Sequence, residues 1–357
     1  MSSHPLRRDL RRPVDSRPRP IGAGNWLRTH WLAILGWCIS AAGLWYVISR
    51  TDLSILKEDL ADVSWGLIVA AVILQVVPKV LEAVRWQSLL RPFSARFWRL
   101  LRATYIGCLC STILPLSAGE LVRATLVTED TGATLPEVLS TEAVERVVDT
   151  AAVVLVAWFA LRGVVLPRNL LIGQIVLAVA AIVLVVAFVL IVIRRADLIA
   201  RMTRWRASNR LSNSVRSAGL EFVQTIGRVR SRAIQLTAVA SLGTTAVNIA
   251  TYWLLLRAYH VPLSGAQAAA LFAIVAIGTA LPGAPGDVGS WQFFCAVGLE
   301  LFGVSSGQAT GFSLVGWAVF AIPPMLIGVV VLLASSAKWS QLVAIRPPAE
   351  ARAAVEG

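Results

Sequence analysis

Nine runs of apolar residues dominate the chain, near 32–49, 65–84, 103–116, 147–161, 170–193, 234–256, 265–281, 288–303 and 311–335. Several reach or approach the roughly 18–20 residues that a helix needs to cross a bilayer. Such unbroken runs exclude the alternating pattern that transmembrane barrel strands require. The fold class that follows is an all-α polytopic membrane protein, a helical bundle. A hydrophobic fraction of 57% and a mean hydropathy of +0.70 agree with it. Trp26 and Trp31 flank the first run, as interfacial aromatics do.

The net charge of +13 belongs to arginines that lie between the apolar runs. That is the pattern of cytoplasmic loops, and it argues against nucleic acid as a partner. Seven arginines precede the first run and place the N-terminus in the cytoplasm. Residues 50–64 carry Asp52, Glu58, Asp59 and Asp62 and fit the outer side; Arg91, Arg96, Arg99 and Arg102 return the chain inward. Ten arginines between 194 and 232 mark a second inner segment. The expected organisation is a disordered basic cytoplasmic tail over 1–25 and a transmembrane domain over 26–337. A cytoplasmic loop at 194–233 interrupts that domain, and a cytoplasmic tail over 338–357 follows it. The expected location is the cell membrane.

Between the two inner anchors the number of crossings must be even, yet three apolar runs lie there. The run at 103–116 is the odd one, and it leads into "LPLSAGELVR" at 114–123. Residues 104–113 would rise about 15 Å as a helix, roughly half the hydrocarbon core. Pro115 and Gly119 then supply a break, and 120–128 returns the chain. The segment therefore reads as a re-entrant hairpin, with residues near 91–102 and 129–140 on one side.

A second stretch, "TALPGAPGDVGSW" at 279–291, repeats the first at an offset of 167. The offset pairs Thr112 with Thr279, Pro115 with Pro282, Gly119 with Gly286 and Glu120 with Asp287. It also pairs Trp86 with Trp253. Pro282, Gly283, Pro285 and Gly286 are the expected breaks of a second hairpin. The helices ahead of the two hairpins run in opposite directions, so the units read as inverted repeats whose breaks meet near the midplane. Interrupted helices in that arrangement frame substrate sites in secondary transporters.

Charged residues inside the apolar regions are candidates for function, because leaving one in lipid is costly. Lys79, Glu82 and Arg85 follow one another at three-residue steps on one helical face. They read either as snorkelling side chains or as a site for a lipid phosphate. Glu120 and Arg123 are three apart and spaced to pair with each other. Glu142, Glu145, Arg146 and Asp149 share one face of the helix entering the 147–161 run. A solvated helix start accounts for Glu142, whereas Asp149 lies deeper.

Cys38, Cys108, Cys110 and Cys295 lie in or beside apolar runs and read as small buried hydrophobes. The three histidines are scattered without metal-ligand spacing, so no metal is expected. There is no Ser/His/Asp or Cys/His arrangement and no phosphate-cradling G-x-x-x-x-G-K-[ST] loop. No catalytic residue and no cofactor are assigned, and the chain is not expected to be an enzyme.

The motifs "RWQSLL" (85–90), "LPLSAGELVR" (114–123), "ERVVD" (145–149) and "PGAPGDVGSWQ" (282–292) resemble those of the lysylphosphatidylglycerol synthase transmembrane-domain family, also called flippase-like. The resemblance covers most of residues 30–335. It implies a multi-helix unit concerned with moving lipids between leaflets, and it points to Arg85, Glu120, Arg123, Glu145, Arg146, Asp149, Pro282 and Gly286. Gln292 stands where the family often has an acidic residue. The tail after the last run leaves no room for the soluble domain that aminoacylates phosphatidylglycerol in some members.

The leading expectation is a lipid flippase or transporter for a phospholipid, polyprenyl lipid or glycolipid with an anionic head group. Its partners would be membrane lipids and a separate lipid-modifying enzyme. The alternatives are a membrane-embedded transferase or accessory subunit in lipid or glycolipid synthesis, and a structural or regulatory partner. Substrate, driving force and oligomeric state are left open by the sequence.

Overall fold

The computed structural model describes residues 62–113, 118–163, 168–205, 210–280 and 284–335, together with Cys38, 41–45 and Ser49. The described residues are almost wholly helical and contain no strand. After the helical residues 41–45, α1 (Trp65–Leu89) is interrupted at Gln75. Pro78 explains the interruption, because it lacks the N–H that would bond the Leu74 carbonyl and its ring crowds that carbonyl. Then come α2 (Phe97–Ile113), α3 (Ala118–Thr131) and α4 (Leu135–Ala160). A connector follows, made of α5 (Arg168–Ile193), α6 (Arg195–Arg204) and α7 (Arg210–Arg228). The chain continues through α8 (Ser231–Ala258), α9 (Gly265–Thr279), α10 (Ser290–Leu301) and α11 (Ser306–Ala334). By length and hydropathy, α1, α8 and α11 are each able to cross a membrane.

Helices α1 to α4 and α8 to α11 repeat one plan: a long helix, two shorter ones, and another long helix. Packing follows a two-fold relation. Helix α2 packs on α11 as α9 packs on α4, and α1 against α2 repeats as α8 against α9. The two leading helices are antiparallel neighbours. The Ser64 amide donates to the Ala258 carbonyl (3.0 Å), Gln75 to Thr251 Oγ1 (2.8 Å) and Arg85 to Ser241 Oγ (2.9 Å). Ascending numbers on α1 meet descending numbers on α8, so the repeats are inverted.

The repeat offset is not constant. It is 167 through the leading helices, but beyond the hairpins it becomes 171. Gly132 (φ +70°) ends α3 as Gly303 (φ +81°) follows α10, and Thr134 caps α4 as Ser305 caps α11. About one helical turn of extra chain is therefore lodged in the second hairpin, where Pro285–Asp287 forms a 3₁₀ turn. The expected matches of Gly119 with Gly286 and of Glu120 with Asp287 fail for this reason. Gly119 and Glu120 lie within α3, while Gly286 and Asp287 precede α10.

The first hairpin closes as the parity of crossings predicts, but its helices are longer than the apolar run. Helix α2 begins at Phe97, and its Arg99 and Arg102 both bond Asp130 near the end of α3 (3.3 and 3.2 Å). The two helices thus start and finish at the same level. Their 17 and 14 residues correspond to rises of about 26 and 21 Å, short of the ~30 Å hydrocarbon core. Gly119 makes the close packing possible, since a Cβ there would run into the Gly107 carbonyl and the backbone of Ser111.

The arginine-rich segment expected as a loop is instead a pair of amphipathic helices, α6 and α7, packed on each other. Helix α7 docks on the start of α4. Thr134 donates to Glu221 (2.8 Å), Arg228 pairs with Glu137 (3.4 Å), and Ile226 packs with Leu89 and Val144. Of the four cysteines, Cys110 and Cys295 are buried as expected, whereas Cys108 is half-buried and Cys38 exposed.

Candidate functional site

Polar residues from both repeats converge between α1, α2, α3, α4, α8 and α11. They surround a cavity of about 340 Å³. Its upper wall is Gln75, Lys79, Glu82 and Arg85 of α1, with Thr244 and Asn248 of α8 opposite. Helices α3 and α4 add Arg123, Glu145, Arg146 and Asp149; Cys108, Phe320 and Pro324 complete the lining.

Arg123 is the hub of this site. Its Nε donates to Glu142 Oε1 (2.9 Å), its second nitrogen to Glu82 and its third to Glu145 Oε2 (2.8 Å). Three carboxylates from two helices thus share one guanidinium, whose planar fork of five donors suits several acceptors at once. The Trp86 ring lies beneath it, 4.2 Å from the guanidinium carbon, and is itself held by a bond from Nε1 to Thr141 (3.1 Å). Arg85 forms a second hub. It grips both oxygens of Asp149 and donates to Glu145 and to Ser241 Oγ. Lys79 bonds Glu82 at 3.0 Å. Buried charges are tolerable only when paired and hydrogen-bonded, and both arginines bond carboxylates across helices.

The structure brings Lys79, Glu82, Arg85, Arg123, Glu145, Arg146 and Asp149 together at one cavity. It does not pair Glu120 with Arg123. Glu120 pairs with Arg146 of α4, and Arg123 turns inward to the carboxylates of α1 and α4. Glu142 is not a solvated helix start: it is 5% exposed and bonds Arg123. Gln292 and Asp287 do not line the cavity. The Gln292 side chain accepts from the Gly289 amide (2.6 Å) and caps α10, while Asp287 is exposed in the second hairpin. Pro115, Pro282 and Gly283 lie outside the described residues. Near them, the Thr112 side chain abuts Gly286, where a Cβ would lie 3.1 Å from Thr112 Cγ2. The Gly286 carbonyl accepts from Trp317 Nε1 (2.9 Å). The end of α2 therefore meets the 3₁₀ turn that precedes α10.

Gln75, Thr244, Asn248, Ser241 and Trp86 were not singled out in the sequence. A signal existed for the amides, because Gln75 and Asn248 are polar residues inside apolar runs. None existed for Trp86, whose role depends on where Arg123 arrives.

Among the described residues, the second repeat does not reproduce the charged site of the first. The partners of Lys79, Glu82 and Arg85 at the 167 offset are Ala246, Ile249 and Tyr252. Those of Glu142, Glu145 and Asp149 at the 171 offset are Ser313, Gly316 and Phe320. There Tyr252, Trp291 and Phe320 pack at centroid distances of 5.1–6.0 Å and fill the space. Since Ser241 faces Arg85 and Thr251 faces Gln75, Tyr252 lies beyond the cavity, away from the end bearing Arg91, Arg96, Arg99 and Arg102. Phe320 belongs to both structures and forms the floor between them.

An all-helical bundle of inverted repeats, with a charged cavity lined by helices of both repeats, defines a polytopic membrane protein. The sequence model of the lysylphosphatidylglycerol synthase TM region matches residues 33–328. The chain belongs to that family, and is a membrane protein related to lipid metabolism. No curated protein sequence matches it.

Proposed function

We propose that the chain carries a phosphate-bearing lipid between leaflets, with the head group in the central cavity and the acyl chains in the bilayer. The observation that carries this reading is an open charged cavity of about 340 Å³ lined by helices of two inverted repeats. At about 30 Å³ per water, that space equals roughly eleven waters, on the scale of a lipid head group. Among the described residues, Lys79 has one ion-pair partner, Glu82, which leaves ammonium donors for a phosphate. The buried Thr244 hydroxyl has no hydrogen-bond partner, and Asn248 stands beside it in the lining. The arginine-rich end, read as cytoplasmic, would attract anionic head groups toward the cavity.

Reconstitution into vesicles containing a fluorescent phospholipid, with a membrane-impermeant quencher outside, tests the reading. Head groups should become accessible faster with the wild-type chain than with empty vesicles. Lys79→Met should slow that exchange at least several-fold while the protein still incorporates. Equal rates for wild-type protein and empty vesicles would overturn the proposal.

A further inference from the structure

The buried network does not balance its charges. Glu82, Glu142, Glu145 and Asp149 face Lys79, Arg85 and Arg123, four carboxylates against three cations. The neighbouring groups do not remove the excess. Arg146 of α4 is neutralised by Glu120 of α3, Cys108 of α2 contributes a thiol, and α8 contributes the Ser241 hydroxyl. Among the described residues one negative charge is therefore uncompensated within a helical interior, where an isolated charge is expensive.

The bonding pattern identifies the weakest carboxylate. Glu82 bonds Lys79 and Arg123, Glu145 bonds Arg85 and Arg123, and Asp149 bonds Arg85 through both oxygens. Glu142 has one ionic partner, Arg123 Nε, and shares that guanidinium with two other carboxylates. Its side chain is 7% exposed, so water offers little help. The described residues contain no group of three or more His, Cys, Asp or Glu arranged to hold a metal ion. A proton is then the compensating cation that fits.

We propose that the network centred on Arg123 binds one exchangeable proton, seated on Glu142, and that this proton moves with the lipid. The binding step moves a proton from hydronium, leaving water, onto the Glu142 carboxylate, which lies behind the cavity-lining Arg123; release returns the proton to water as hydronium. A phosphate that settles on Lys79 adds negative charge beside Glu82, so proton and lipid favour each other's binding. The coupling rests on the lipid-carrying reading above; the resident proton does not.

Two measurements on the full chain in nanodiscs and vesicles separate these claims. Infrared spectroscopy at neutral pH should show the carbonyl stretch of an un-ionised carboxylic acid. That band should vanish in Glu142→Gln, persist in the exposed control Glu129→Gln, and grow in Lys79→Met, which removes a further cation. Absence of the band from wild-type protein, or its persistence in Glu142→Gln, would overturn the proton site. In the vesicle assay, an imposed pH gradient should change the wild-type lipid exchange rate several-fold and leave Glu142→Gln unresponsive. Exchange that ignores the gradient in wild-type protein would overturn the coupling while leaving the lipid reading intact. No exchange at any pH would overturn the lipid reading and the coupling together, with the infrared band still deciding the proton.

Discussion

Tyr252 and Phe320 pack with ring centroids 5.1 Å apart at the place where, in the other repeat, Arg85 grips Asp149. The same backbone plan thus carries an ion pair in one half and an aromatic contact in the other. An inverted repeat supplies two equivalent positions across the bundle, and the side chains make them unequal. One becomes a charged cavity and the other an aromatic layer.

The Arg123 hub predicts a large loss of stability on neutralisation. Removing one partner of a buried ionic group leaves the others uncompensated, at a cost of about 3–5 kcal/mol. Arg123→Met strands the ionised Glu82 and Glu145 and takes the partner of the protonated Glu142, so it should fall at the upper end of that range. Combining it with Glu145→Gln should recover part of the loss, because one stranded charge is gone. Denaturation in detergent, followed by helical signal, measures both; additive losses would show that the two side chains do not interact.

Close approach at Gly119 predicts a second effect. Gly119→Val would drive a side chain into the Gly107 carbonyl and the Ser111 backbone, forcing α2 and α3 apart. The protein should accumulate poorly, and what accumulates should melt well below wild type. Gly66→Ala is the control, since nothing lies within 4 Å of a Cβ there. It should be neutral or slightly stabilising, because alanine favours helix over glycine by about 1 kcal/mol.

Much of this architecture is legible in the sequence, and the parts that are not share a physical cause. Apolar run lengths announce the helices, and the 279–291 stretch marks a broken turn; Gly119, read as a break, lies instead within α3, where it permits the close packing on α2. The spacing of Glu142, Glu145, Arg146 and Asp149 sets out one face of α4. Spacing within a helix cannot show which neighbouring helix a side chain meets. Arg123 looks paired to Glu120 three residues away, yet its partners lie 41, 19 and 22 positions distant. The shift from 167 to 171 was hidden for a related reason, because the extra turn falls where glycine and proline match by composition alone.

The ion pairs that join α2 to α3 predict the topology of the first hairpin. Arg99 and Arg102 meet Asp130, so the two helix ends share one side of the membrane. Cysteines placed at Arg96 and Glu129 should react with a membrane-impermeant thiol reagent from the same side. Labelling from opposite sides would show that α2 and α3 form a single crossing.

Phe320 predicts how the cavity is closed. Its ring forms the floor beside Pro324 and packs on Tyr252 and Trp291. Cys108 in the lining is a built-in reporter, once exposed Cys38 is replaced by serine. A water-soluble thiol reagent should reach Cys108 from the arginine-bearing side of the wild-type protein and not from the other. Phe320→Ala removes the ring that separates the cavity from the aromatic layer, so Cys108 should then react from both sides. The change also costs packing energy, up to about 3–5 kcal/mol for a buried phenylalanine, and loosening alone would admit reagent. Phe312→Ala controls for that effect: its ring is fully buried against Tyr259 and does not line the cavity. It should destabilise at least as much yet leave one-sided labelling unchanged. Two-sided labelling of wild-type protein, or of both variants alike, would remove Phe320 from its place as the floor.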